Sequence, residues 1–153
     1  MKIHFDTYRP QYKTVFKELN IEWLNTYFYV EQHDEEVLSH PEKYILEPGG
    51  HILVALVDGG VAGVVALMPI EKDVYELTKM AVDKNARGLK IGQRLMEHCL
   101  AFAKEMNIQK LILYSNRKLE NAIHIYRKFG FEEIPLEEGL PYERANIKME
   151  KKL

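Results

Sequence analysis

The stretch Val74-Tyr75-Glu76-Leu77-Thr78-Lys79-Met80-Ala81-Val82-Asp83-Lys84-Asn85-Ala86-Arg87-Gly88-Leu89-Lys90-Ile91-Gly92-Gln93 passes from a strand pattern through a glycine-bearing turn into a helix pattern. Its first half alternates. Tyr75, Leu77, Lys79 and Ala81 interleave with Glu76, Thr78, Met80 and Val82, the period-two pattern of a strand. Its second half turns into a segment in which Ile91, Leu95, Cys99, Phe102 and Met106 recur at helical spacing. A strand that passes through such a turn into a helix presents the helix's first N–H groups, which lack intrahelical partners, together with the positive end of its dipole. Gly88 and Gly92 are expected to bend the backbone so that those N–H groups point at an anion, with Arg87, Lys90 and Arg94 adding fixed charge. The turn is not a triphosphate-binding loop, because no adjoining Lys-Ser/Thr pair follows it, and it is not Gly-x-Gly-x-x-Gly.

Upstream, residues 51–57 and 61–68 flank Asp58-Gly59-Gly60 and form a hairpin signal. Residues 2–7 read as a short strand. Residues 10 to about 30 read as a helix, with Val15, Leu19, Trp23 and Tyr27 four apart. Residues 33–39 form a shorter helix stopped by Pro41. Downstream, residues 110–114 are an apolar strand, and Leu119, Ala122, Ile123 and Tyr126 mark another helical stripe, with Gly130 placed to cap it. Residues 131–134 and 144–150 close the pattern as strands. The order β-αα-βββ-α-β-α-ββ predicts one α/β (α+β) domain with a mixed sheet over residues 1–153.

Composition narrows the function classes. With 46% hydrophobic and 29% charged residues among 153, the chain is neither disordered nor membrane-spanning. Its longest apolar runs, 52–57 and 61–70, fall well short of the roughly 20 residues that cross a bilayer. The N-terminal segment lacks the apolar core of a signal peptide, so a cytoplasmic location is expected. A single cysteine, Cys99, excludes a disulfide framework and lies on a buried helix face as a small core residue. The six histidines show no metal-ligand spacing, so no metal site is expected. A formal charge of −2 argues against nucleic acid as a partner. That small net charge conceals a balance of +7 between residues 84 and 130 and −9 elsewhere, with Glu31, Asp34, Glu35 and Glu36 clustered in the acidic part. A basic half suits a polyanionic small molecule and an acidic half a cationic one, although solvated helix faces give the same pattern.

Residues 76–82, 87–92, 111–116 and 122–131 together resemble the GNAT family of acetyl-CoA-dependent N-acetyltransferases, strongly over about 76–133. The family's diphosphate loop reads Q/R-x-x-G-x-G/A. Arg87 and Gly92 match it, and Lys90 stands where the first glycine would be. The resemblance implies a mostly antiparallel central sheet of six or seven strands flanked by about four helices and splayed between the strands at 74–82 and 110–114. It implies acetyl-CoA as co-substrate, with no metal or prosthetic group. Met80, Ala81 and Val82 would contact pantetheine through their backbones, the Met80 or Ala81 N–H would polarise the thioester carbonyl, and Arg87, Gly88, Leu89, Lys90, Ile91, Gly92 and Gln93 would hold the diphosphate.

Tyr126 matches the family tyrosine in Ala-x-x-x-Tyr-x-x-x-Gly-Phe, whose hydroxyl lies near the CoA sulfur and protonates the leaving thiolate. An incoming amine is mostly protonated at neutral pH, so a base or a water relay must take its proton. Glu76 is the first candidate base: it lies four residues before Met80 and is expected on the same strand face. Glu31, His33 and His51 are weaker alternatives. Where many family members carry an asparagine seven residues before the tyrosine, this chain has Leu119, and Asn116 or Asn121 would supply the missing amide contact. The aromatic cluster Trp23, Tyr27, Phe28 and Tyr29 reads as helix core, part of which faces the acceptor in such enzymes. The resemblance thus points to transfer of acetyl to a primary amine of a small-molecule or peptide acceptor, without nucleic acid or membrane partners, in a fold that is often homodimeric. A non-catalytic acyl-CoA-binding or sensing module of the same fold is the alternative, and a nucleotide-binding regulatory domain a more distant one.

Overall fold

The computed structural model describes residues 2–86, 89–140 and 142–153. Seven strands, β1 (Ile3–Thr7), β2 (His51–Val57), β3 (Gly60–Glu71), β4 (Val74–Val82), β5 (Lys110–Ser115), β6 (Glu132–Ile134) and β7 (Ile147–Lys152), form one sheet in the order β1-β2-β3-β4-β5-β7-β6. Every neighbouring pair is antiparallel except β4 and β5, which run parallel. Four α-helices flank the sheet among the described residues: α1 (Lys13–Tyr27), α2 (Gln32–Ser39), α3 (Ile91–Glu105) and α4 (Glu120–Lys128). Element order and mixed sheet are as expected from the sequence.

Strand alternation divides the interior into two cores. On one face Leu53, Ala55, Val65 and Leu67 pack with α3 through Ile91, Leu95, Met96, Cys99 and Ala103. On the other Ile52, Val54, Val64 and Ala66 pack with Phe16, Leu19 and Leu24 of α1 and with Val37 and Leu38 of α2. Met106, placed by spacing on the buried stripe of α3, instead follows the helix as its C-cap and is 48% exposed.

Turn chemistry moves several boundaries. Val57 pairs with Gly60, so the hairpin turn is the two residues Asp58 and Gly59, both at positive φ (50° and 86°), and Gly60 belongs to β3. That geometry suits the right-handed strand twist. Pro10 opens a 3-10 turn, Pro10–Tyr12, before α1 begins at Lys13, because a proline without an N–H is tolerated only at such a start. Pro41 begins a single π-turn, Glu42–Leu46, closed by the Glu47 N–H on the Glu42 carbonyl at 2.8 Å.

The end of α4 fixes the backbone of Tyr126. The Phe131 N–H donates to the Tyr126 carbonyl and the Gly130 N–H to the Arg127 carbonyl, both at 3.0 Å, with Gly130 at φ 96°. This is the glycine-dependent helix stop in which a left-handed residue satisfies the last carbonyls. Phe131 then enters the α3-side core. Gly130→Ala is expected to destabilise the fold by about 1 kcal/mol, because a Cβ is unfavourable at that φ. A urea-unfolding midpoint lowered without a change in slope would register it; an unchanged midpoint would contradict it.

Candidate active site

β4 and β5 pair only at Val74–Lys110, Tyr75–Leu111 and Glu76–Ile112. Beyond Glu76 the strands part, and β5 gives residues 77–82 no ladder partner. Parting leaves backbone groups that an extended ligand can pair with, as an added strand does. A cavity of about 320 Å³ occupies this gap. Residues 76–82 line one side and residues 113–116 the other, with Trp23, Phe28 and Tyr126 also facing it.

A bulge changes the orientation of β4. Ala66 faces Thr78 while Val64 faces Ala81, so β4 carries one residue more than β3 over this interval. Lys79 within it has φ 54°, a left-handed conformation that costs a non-glycine residue about 1–2 kcal/mol. The simple alternation read from the sequence therefore breaks. Leu77 packs in the α3-side core and Ala81 in the opposite one, although they are four residues apart. Met80 and Val82 join Tyr75 and Leu77 on the α3 side. Glu76 accordingly does not share a face with Met80; the extra residue brings it onto the face of Lys79.

Glu76 lines the cavity and is half-buried. Burial raises its pKa above the ordinary carboxylate value, while the Lys79 charge and the Thr78 hydroxyl oppose that rise. Tyr126 lines the same cavity, and burial pushes its hydroxyl up to about 12. Its ring meets Phe131 edge-on at 6.1 Å. The Tyr126 hydroxyl has no hydrogen-bond partner among the described residues, where no buried side-chain polar atom is orphaned, so it opens onto the cavity. Leu119, Ala122 and Ile125 line the cavity with it, and Ile123, on the stripe read from the sequence, packs with Tyr126 against the α3-side core.

The two candidate asparagines differ. Asn116 lines the cavity, but its amide nitrogen donates to the Arg144 carbonyl at 2.6 Å and its oxygen accepts from the Lys118 N–H at 2.9 Å. Its side chain is thus engaged in joining the β5–α4 loop to the segment before β7. Asn121 is exposed on α4 and does not line the cavity.

In the turn before α3, Arg87 and Gly88 lie outside the described residues. Leu89 is half-buried. Lys90 is the N-cap of α3 at φ 57°, ψ 32°, so a lysine occupies the left-handed position where glycine would be relaxed. Ile91 is buried in the core, and Gly92 sits within α3 without a positive φ. The backbone freedom expected of Gly92 is therefore not what the helix uses. A Cβ there would meet only Val82 Cγ2 at 3.8 Å, and the cavity wall gains from its absent side chain. Gln93 accepts from Lys128 Nζ at 3.2 Å, which ties the start of α3 to the end of α4.

A buried ion cluster at the α2 side of the cavity was not singled out from the sequence. Lys79 Nζ lies 3.1 Å from Asp34 Oδ1, with the two side chains 3% and 0% exposed. The Arg144 guanidinium grips both Asp34 oxygens at 2.7 and 2.8 Å and reaches Glu31 at 2.9 Å. The Glu31 N–H completes the set on Asp34 at 3.0 Å, as part of the capping box of α2. Burial opposes ionisation of Asp34, yet Arg144 and Lys79 hold its carboxyl below the ordinary value. Lys79 also hydrogen-bonds the Tyr142 hydroxyl at 2.6 Å and lies over that ring. The acidic run 31–36 is therefore spent largely on internal pairs rather than displayed, since Glu35 also pairs with Lys17. A lysine interrupting an apolar strand and an aspartate at the third position of a helix were the available signals.

The remaining candidates do not line the cavity. Glu31 is committed to Arg144 and to the Glu143 N–H. His33 packs edge-on against Tyr142 at 5.1 Å, and His51 packs against Phe102 at 5.0 Å without lining the cavity. Cys99 is buried, and burial pushes its thiol up to about 12. Among the described residues no cluster of side chains could hold a metal ion, and no helix is long and apolar enough to cross a membrane.

Comparison with known proteins gives a consistent picture. The model of the acetyltransferase (GNAT) family matches residues 17–131. An uncharacterized N-acetyltransferase of Dictyostelium discoideum is 26% identical, with 80% of this chain and 84% of that protein covered. The N-acetylaspartate synthetase of Mus musculus is 34% identical over 60% of this chain, which spans only 31% of that longer protein. The crystal structure of a GNAT acetyltransferase from Staphylococcus aureus superposes with a TM-score of 0.86 at 26% identity, covering 99% of both chains. A PaiA N-acetyltransferase from Thermoplasma acidophilum, solved in complex with coenzyme A, superposes over the full length of both chains with a TM-score of 0.77 at 21% identity.

Proposed function

The chain belongs to the GNAT family of acetyltransferases, and on that premise we propose that it moves acetyl from acetyl-CoA directly to a primary amine held at the α1–α2 end of the β4–β5 cavity. The observation that carries this reading is the parting of β4 from β5 beyond Glu76, with the Tyr126 hydroxyl opening into the same space. Unpaired strand edges and a helix start fit a pantetheine chain with its diphosphate, so the residues present suit this co-substrate. Met80, Ala81 and Val82 pair with the pantetheine arm, and residues 87–93, with Arg87 and Gly88 taken from the sequence alone, receive the diphosphate. When bound, acetyl-CoA supplies an acyl group activated as a thioester.

The protein groups then divide the work. Glu76 takes the amine proton as the new C–N bond forms. The Met80 or Ala81 N–H stabilises negative charge on the carbonyl oxygen, an effect worth about 2.7–4 kcal/mol per donor in comparable sites. Tyr126 supplies a hydrogen bond or proton to the sulfur as the C–S bond breaks. Leu119 and the internally bonded Asn116 leave the family's amide contact without an evident replacement, and this favours as a second reading a module that binds acyl-CoA without turnover.

Incubation with acetyl-CoA and a panel of polyamines, amino acids and peptide N-termini, with titration of released thiol, separates the two. Aspartate belongs in that panel because of the named activity of the mouse relative. Amine-dependent thiol release supports the transferase reading; tight CoA binding with silence across the panel supports the binding module. Gly92→Asp is expected to weaken CoA binding about tenfold, through repulsion of the diphosphate at a position with room for a side chain. Calorimetry checks this, and unaltered affinity would place the diphosphate elsewhere.

A further inference from the structure

The bulge in β4 sends Ala81 into the α1-side core while Met80 and Val82 pack on the α3 side. It sets a lysine in a left-handed conformation and places its amine where it is 3% exposed. What it achieves is a change of parity. Glu76 and Lys79 are three apart and would occupy opposite faces of a regular strand; the extra residue puts them on one face of the same cavity. Lys79 is then fixed from the other side by Asp34, whose carboxylate accepts from Lys79, twice from Arg144 and from the Glu31 N–H. Asp34 is saturated by these four contacts, so it is an anchor and not a free base.

We propose that Lys79 is a positioning residue whose ammonium, carried by the bulge and anchored on Asp34, holds Glu76 as a carboxylate at the acceptor end of the cavity. This rests on the reading of Glu76 as the base. Several groups act on Glu76 from the elements around it. Thr78 and Lys79 share its strand; Lys148 comes from β7 and Glu137 from the segment before it. Tyr142 lies on that same segment and is itself affected by the Glu76 charge. Tyr114 of β5 and Asn20 and Trp23 of α1 line the shared cavity, and Met68 of β3 pairs with Glu76 in the ladder. Among the opposing charges that act directly on Glu76, Lys79 is the strongest, followed by Lys148, while Glu137 works against them. Burial pulls Lys79 below the ordinary ammonium range, and Asp34 opposes this. Loss of its charge would leave Glu31 and Asp34 sharing Arg144, so the balance of the cluster favours the ammonium.

The test titrates the Glu76 carboxyl by carbon-13 NMR in protein labelled at glutamate side-chain carboxyls, with the resonance assigned by its loss in Glu76→Gln. Lys79→Met keeps side-chain length and removes the charge together with the hydrogen bonds to Asp34 and Tyr142, while Arg144 still holds Asp34. The Glu76 midpoint is expected to rise by about one pH unit or more in Lys79→Met, as for loss of a close opposite charge, and to stay within a few tenths in Lys79→Arg. Should that variant fail to fold, Lys79→Gln, which carries no charge but keeps a hydrogen-bond donor for Asp34 and Tyr142, is expected to give the same rise. A midpoint equal to wild type in the folded charge-free variant overturns the proposal. The titration reads the carboxyl itself, so its failure is distinct from failure of the base assignment, which is decided by turnover of Glu76→Gln.

Discussion

Glu76→Gln is expected to lower kcat by about 10²-fold or more, with acetyl-CoA affinity nearly unchanged. General-base catalysis contributes effects of roughly this size, and Glu76 lines the cavity from the strand face opposite the Met80 and Val82 side chains. The pH dependence has a definite sign. A carboxylate serves as a base only when ionised, and burial raises Glu76 above its ordinary value. The acid limb of kcat/KM therefore lies above the ordinary glutamate value of about 4.3, and activity falls as pH drops through it. The glutamine variant should lose that limb together with the rate. Retention of full turnover and of the limb would assign proton removal to a water relay or to another group.

Tyr126→Phe is expected to reduce kcat by about 10- to 100-fold while leaving KM for acetyl-CoA close to wild type. The change deletes one hydroxyl that no protein group among the described residues engages, so little stability should be lost. A phenol near 12 is a weaker acid than an ordinary thiol at about 8.5, so complete proton transfer to a thiolate is unfavourable. On the proposed mechanism Tyr126 would therefore act mainly by donating a hydrogen bond to the developing sulfur anion, staying protonated across the neutral range. Steady-state kinetics on the active amine would show the split between kcat and KM. Equal rates in the two proteins would remove the tyrosine from the chemistry.

The sequence disclosed the parts of this fold that obey local rules. The strand at 74–82, the Asp58-Gly59 turn, the apolar stripe of α3 and the stop at Gly130 are each set by neighbours close in the chain, and each stands where the pattern put it, give or take a boundary. The bulge at Lys79 broke this logic, because an extra residue in one strand is defined only against its partner β3. With it went the inference that Glu76 and Met80 share a face. The buried cluster was hidden for a related reason: Asp34, Lys79 and Arg144 are distant in sequence, and each alone reads as an ordinary surface charge. Lys90 shows the converse. Its departure from the family glycine was visible at once, yet only the structure reveals that the lysine adopts the left-handed conformation all the same.

The central claim is that the unpaired edge of β4 and the start of α3 together grip the co-substrate and direct it toward Tyr126. Amide hydrogen exchange with and without coenzyme A tests this most directly. Slowed exchange concentrated at Met80, Ala81 and Val82 and at Ile91, Gly92 and Gln93 is the predicted result. Unchanged exchange at those amides, with protection appearing elsewhere on the saturated protein, would contradict it.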